Sequence, residues 1–100
     1  MAKGYWIARV DVHNMDGYKE YVAQNGAVFK KYGATFLVRG GTFEPREGSS
    51  RSRNVVLEFK DYETALACYN SPEYQHLVAI RSPHSEGDLV IIEGYDGPQP

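Results

Sequence analysis

One hundred residues suit a single domain and leave no room for a second. A formal charge of -2 gives no electrostatic footprint for nucleic acid or an acidic membrane surface, and no stretch approaches the roughly twenty apolar residues that span a bilayer. The only cysteine, Cys68, excludes an intrachain disulfide, and no apolar signal-peptide core follows Met1, so a cytoplasmic protein is expected.

In chain order, Tyr5 to Val12 is rich in β-branched and aromatic residues and reads as a strand. Asn14 can cap a helix in which Tyr18, Tyr21, Val22, Val28, Phe29 and Tyr32 recur at helical spacing, with Gly33 as its terminator. Thr35 to Arg39 reads as a second strand. Gly40-Gly41 breaks it before a polar loop through Pro45, Gly48 and Ser52. Asn54 to Phe59 is a third strand. Asp61 caps a second helix, whose apolar face is Tyr62, Ala65, Leu66 and Tyr69. Ser71-Pro72 stops that helix and starts a short one carrying Tyr74, Leu77, Val78 and Arg81. Leu89 to Glu93 is the last strand. The domain is taken as residues 1–95, with 96–100 as a tail.

The order βαββαβ is that of a ferredoxin-like α+β domain: a four-stranded antiparallel sheet with its helices on one face. Strand alternation sorts Trp6, Ala8, Val10, Val12, Phe36, Val38, Val55, Leu57, Phe59, Leu89 and Ile91 under the helices. The opposite face collects Tyr5, Ile7, Leu37, Val56, Val90 and Ile92 with Arg9, Asp11, Arg39 and Glu58. A domain this small buries only about two-thirds of its unfolded surface. So apolar a second face calls for a partner sheet, and a homodimer closing over a partly polar cavity is expected.

Gly4-Tyr5-Trp6-Ile7, Val10-Asp11-Val12, Tyr18, Tyr21, Phe36 to Gly41, Glu58-Phe59 and Tyr69 to Gln75 together resemble the bacterial family called domain of unknown function 1330. The most specific parts are Arg39-Gly40-Gly41 and Ser71-Pro72-Glu73-Tyr74-Gln75. The resemblance implies a dimeric α+β barrel, in a superfamily that also holds cofactor-free monooxygenases, lactone isomerases and heme-handling proteins. It imports no reaction. The chain departs from the family pattern at Asn14-Met15, where Asp-Pro is expected, and at Cys68, where an aromatic is expected.

Each chemical candidate has a structural counterpart. Arg39 could fork onto a ligand carboxylate, or it could pair with Glu58 across neighbouring strands. Asp11 and Glu58 are candidates for acid–base work, or they pair with Arg9 and Arg39. Tyr69, Tyr74 and Arg81 suit the mouth of a cavity for an aromatic or acidic ligand, and Tyr5 joins the ligand-binding set from the mixed face. Ser71-Pro72 has a sufficient role in helix termination. His13, His76 and His84 have no metal spacing, so no metal or cofactor is expected. Cys68 reads as a small buried side chain, and Arg46, Arg51 and Arg53 as part of a solvated loop of mixed charge. Three functions stay open. The protein binds a small acidic or aromatic metabolite between sheet and partner, or is a cofactor-independent monooxygenase or isomerase using Arg39 with Asp11 or Glu58, or is a structural dimer with no small-molecule site.

Overall fold

The computed structural model describes residues 2–100. Its elements are β1 (Gly4–Val12), α1 (Met15–Lys31), β2 (Thr35–Arg39), β3 (Arg53–Phe59), α2 (Tyr62–Asn70), α3 (Pro72–Arg81), a 3-10 turn (Ser82–His84) and β4 (Ser85–Glu93). The strands form one antiparallel sheet in the order β2-β3-β1-β4, which is the ferredoxin-like topology. The expected strand β4 starts four residues early, at Ser85. Ser85-Glu86-Gly87-Asp88 has no strand propensity of its own, but it completes the register along β1 from Val12 to Arg9.

Local signals set the helix ends. Asn14 accepts the Gly17 N–H, and Asp61 accepts that of Thr64 at 2.7 Å. At the end of α1, Gly33 (φ +70°) donates to Lys30 and Ala34 donates back to Phe29, a Schellman closure open to glycine because its backbone is left-handed. Ser71 Oγ takes both ends of the α2–α3 junction: it donates to the Cys68 carbonyl at 2.7 Å and accepts from the Tyr74 N–H at 3.2 Å. Pro72 then sits in the first turn, where no N–H is needed.

The core lies between the sheet and the helices, centred on Trp6. The rings of Tyr74, Phe59, Phe29 and Tyr69 surround its indole at centroid distances of 4.8, 5.4, 5.5 and 5.8 Å, three of them edge-on. Its Nε1–H donates to the Ala65 carbonyl at 2.9 Å, which ties β1 to α2 and leaves no buried donor on the indole unpaired.

One irregularity decides the site. Phe36 pairs with Leu57 and Arg39 with Val55, yet Val38 pairs with Val56, so Leu37 is an extra residue in β2. Every side chain after the bulge changes face relative to strict alternation. Val38, expected under the helices, is on the outer face and 41% exposed. Arg39, expected on the outer face, is on the helix side.

Candidate functional site

A cavity of about 290 Å³ lies between the sheet and the helices. Its floor comes from alternate residues of the strands: Trp6, Ala8 and Val10 of β1, Val55 and Leu57 of β3, and Leu89 of β4. Its roof is α1, through Tyr18, Tyr21, Val22, Asn25 and Phe29, together with Tyr69, Tyr74 and Val78. Three arginines reach it: Arg39 at the end of β2, Arg53 at the start of β3, and Arg81 in the last turn of α3. This cavity is on the opposite side of the sheet from the face where the sequence places the ligand.

Arg39 is exposed at the rim, and its guanidinium carbon lies 4.2 Å from the centre of the Phe36 ring. It makes no ion pair with Glu58, which the bulge leaves on the other face. There the Glu58 carboxylate accepts the Tyr5 hydroxyl at 3.1 Å and meets Lys3 at 3.5 Å. Gly40 has φ +66°, and a side chain there would strike the Arg53 guanidinium at 2.6 Å, so the glycine turn admits Arg53 beside the end of β2. Arg81 lies over the Tyr21 ring at 5.7 Å. Among the described residues no carboxylate is within ion-pair distance of Arg39, Arg53 or Arg81. The acidic residue of the cavity wall, Asp88, is already taken by Arg51 Nε at 2.8 Å.

Inside, Tyr21 and Tyr74 share a hydrogen bond of 2.8 Å between their hydroxyls. Burial raises the pKa of both phenols, and of Tyr18, so they are neutral hydrogen-bonding groups at physiological pH. Asn25 is 6% exposed, and its Oδ1 has no hydrogen-bond partner.

Of the residues singled out from the sequence, Arg39, Tyr69, Tyr74 and Arg81 meet at this cavity, whereas Tyr5, Asp11 and Glu58 do not line it. Asp11 instead accepts the Ser52 N–H at 2.9 Å and meets Arg51 at 2.9 Å, with Ser52 Oγ donating to the Val10 carbonyl beside it. The Ser52 backbone donor, then its hydroxyl and Arg51, hold the Asp11 carboxyl below its usual range. It fastens a loop. Arg51 also leaves the solvated role the sequence suggests for it, since it bridges Asp11 and Asp88. Arg53 leaves that role for the cavity. Cys68 is fully buried outside the cavity lining, and burial pushes its thiol up to about 12, so it stays protonated.

Sequence reasoning missed Arg53, Asn25, Tyr18 and Tyr21 as site residues. For Asn25 a signal existed: a polar side chain sits between Tyr21 and Phe29 at steps of four on an otherwise apolar stripe. Among the described residues no group of three or more His, Cys, Asp or Glu side chains is placed to hold a metal. No helix among them is long and apolar enough to cross a membrane.

The family described as Domain of unknown function (DUF1330) matches residues 3–95. The chain belongs to that family. No curated protein matches the sequence. Solved structures resemble the fold over almost the whole chain. A protein of unknown function from Rhodopseudomonas palustris is 14% identical with a TM-score of 0.75, covering 96% of this chain and 85% of its own. A dimeric ferredoxin-like protein of unknown function from Jannaschia sp. CCS1 is 18% identical with a TM-score of 0.66, covering 91% and 96%. SnoaB, a cofactor-independent oxygenase from Streptomyces nogalater, is 13% identical with a TM-score of 0.63, covering 100% and 97%. At these identities the likeness is one of fold.

Proposed function

We propose that this member of the family binds a small anionic aromatic metabolite in the cavity between its sheet and helices. The observation that carries the reading is the set of three guanidinium groups without carboxylate partners around an aromatic-walled cavity. Cations in that state call for an anion, and a planar guanidinium can hold a carboxylate by two parallel hydrogen bonds. The ring walls supply the apolar contact area, and a volume of about 290 Å³ suits a small ligand.

The protein acts in the cytoplasm as a homodimer on this proposal, the outer sheet face of one copy covering that of the other. Exposure of Ile7, Leu37, Val38, Val90 and Ile92 on one face supports it, as does the dimer formed by the Jannaschia protein of the same fold. Binding ranks ahead of catalysis, although SnoaB shares the fold. The carboxylates considered for proton transfer, Asp11 and Glu58, are not among the cavity residues, and the buried phenols are too weakly acidic to act as bases at neutral pH.

Trp6 is the sole tryptophan and lines the cavity, so its fluorescence reports occupancy. Titration with benzoate should quench or shift its emission saturably, with calorimetry giving one site per chain. Arg39→Ala should weaken binding. No saturable signal from any aromatic acid would remove the proposal.

A further inference from the structure

Asn25 is the one buried side chain among the described residues with a polar atom that has no hydrogen-bond partner. It lies on α1 one turn after Tyr21 and one turn before Phe29, within the cavity wall. Its amide is beside the Tyr21 hydroxyl, which in turn is bonded to that of Tyr74. Oδ1 is left as an acceptor without a partner in the protein. An unmade hydrogen bond at such a position is costly, and native proteins keep few of them. The residue is also poorly chosen for packing alone, since Leu would fill the same volume in the stripe without that cost.

We infer that the ligand is a hydroxy-substituted aromatic acid, its carboxylate held by the arginines of the cavity and its hydroxyl donating to Asn25 Oδ1. This rests on the reading of the cavity as an anion site and adds a second, independent requirement to it. The arginines ask only for negative charge. Asn25 asks for a donor, and so binds the parent acid and the methyl ether more weakly, since both leave Oδ1 unpaired. A site built to hydrogen-bond a hydroxyl discriminates strongly against an analogue lacking it, because its own buried group then stays unsatisfied.

The probes are benzoate, its three monohydroxy isomers and the three corresponding methoxybenzoates, titrated calorimetrically into the wild-type protein, Asn25→Leu and Arg39→Ala. In the wild type at least one hydroxybenzoate should bind roughly tenfold or more tighter than both benzoate and its own methyl ether. Asn25→Leu should bring that isomer down to the affinity of benzoate while leaving benzoate unchanged or tighter. Arg39→Ala should weaken all the acids together. Equal affinity of hydroxy, methoxy and parent acids in the wild type overturns the inference but leaves the anion site standing, as does discrimination that survives Asn25→Leu. Tighter binding of a methyl ether than of its phenol also overturns it, because a donor rather than an acceptor would then face the ligand. If Asn25→Leu does not fold, the wild-type series decides alone. Failure of every acid to bind removes the anion reading and this inference with it.

Discussion

On the inner face of the sheet, Trp6, Leu57 and Phe59 are at most 3% exposed, while on the outer face Ile7, Leu37, Val38, Val90 and Ile92 are 40–52% exposed. Both faces come from the same strands, and their different fates follow from what covers them. Three helices close the inner face with rings that meet edge to face, and leave a cavity whose cations meet aromatic rings but, among the described residues, no carboxylate partner. On the outer face the polar groups find partners within the chain: Glu58 meets Lys3 and accepts the Tyr5 hydroxyl, Asp11 meets Arg51, and Arg9 donates to the Ser49 carbonyl. Its unmet need is apolar. The proposed ligand site and the proposed dimer face therefore lie on opposite sides of one sheet.

The largest effect that separates the two sides is expected in the core. Trp6→Ala should destabilise the fold by about 3–5 kcal/mol, since it removes the ring at the centre of the aromatic cluster and leaves a cavity. Urea unfolding followed by circular dichroism would measure this, the variant having no tryptophan to follow by fluorescence. Next comes the outer face. Ile92→Glu, or Val56→Glu, should convert the proposed dimer to monomer, because each places an unpaired charge on a surface meant to be buried. Sedimentation velocity at micromolar concentration would read the change. Wild-type protein sedimenting as an 11.3 kDa monomer would contradict the assignment of that face.

Smaller, and more selective, are the charges. Arg39→Lys should lower affinity for an aromatic acid, and Arg39→Ala should lower it further, roughly tenfold, since an ammonium cannot reproduce the guanidinium fork. Glu58→Gln, on the other face, should leave affinity unchanged. If Arg39 and Glu58 acted as one pair, the two substitutions would instead lower stability alike and leave affinity alone. The smallest effect belongs to Asp11. A carboxyl whose folded pKa is lowered adds stability above its unfolded pKa of about 3.9, and that stability fades as pH falls through the lower folded value. Asp11→Asn should therefore be slightly less stable than wild type at neutral pH, with the gap in melting temperature closing as the pH falls below the ordinary aspartate range. A gap that is constant with pH would separate Asp11 from the loop fastening.

Much of the fold was legible because its signals are local. Asn14, Asp61, Ser71-Pro72 and Gly33 mark helix ends by side-chain or backbone chemistry that needs no tertiary context, and period-two alternation placed Trp6, Leu57 and Phe59 in the core. The site was harder to read. A bulge leaves no mark in Thr35-Phe36-Leu37-Val38-Arg39, where an uninterrupted strand is equally well formed, and yet it moves Arg39 across the sheet. Strict alternation set Arg39 against Glu58 for that reason. Charge dominates the sequence neighbourhood of Arg53 and points to a loop, whereas pairing with Val10 makes it the first residue of β3. The start of β4 at Ser85-Glu86-Gly87-Asp88 is likewise imposed by its partner strand.

The division of the two faces is tested most directly by crystals grown with 4-bromobenzoate and measured at the bromine absorption edge. The account expects one anomalous peak per chain inside the cavity between α1 and the sheet, with the carboxylate within hydrogen-bond distance of Arg39, Arg53 or Arg81. A peak on the outer face, beside Tyr5 and Glu58 and between two sheets, would contradict it.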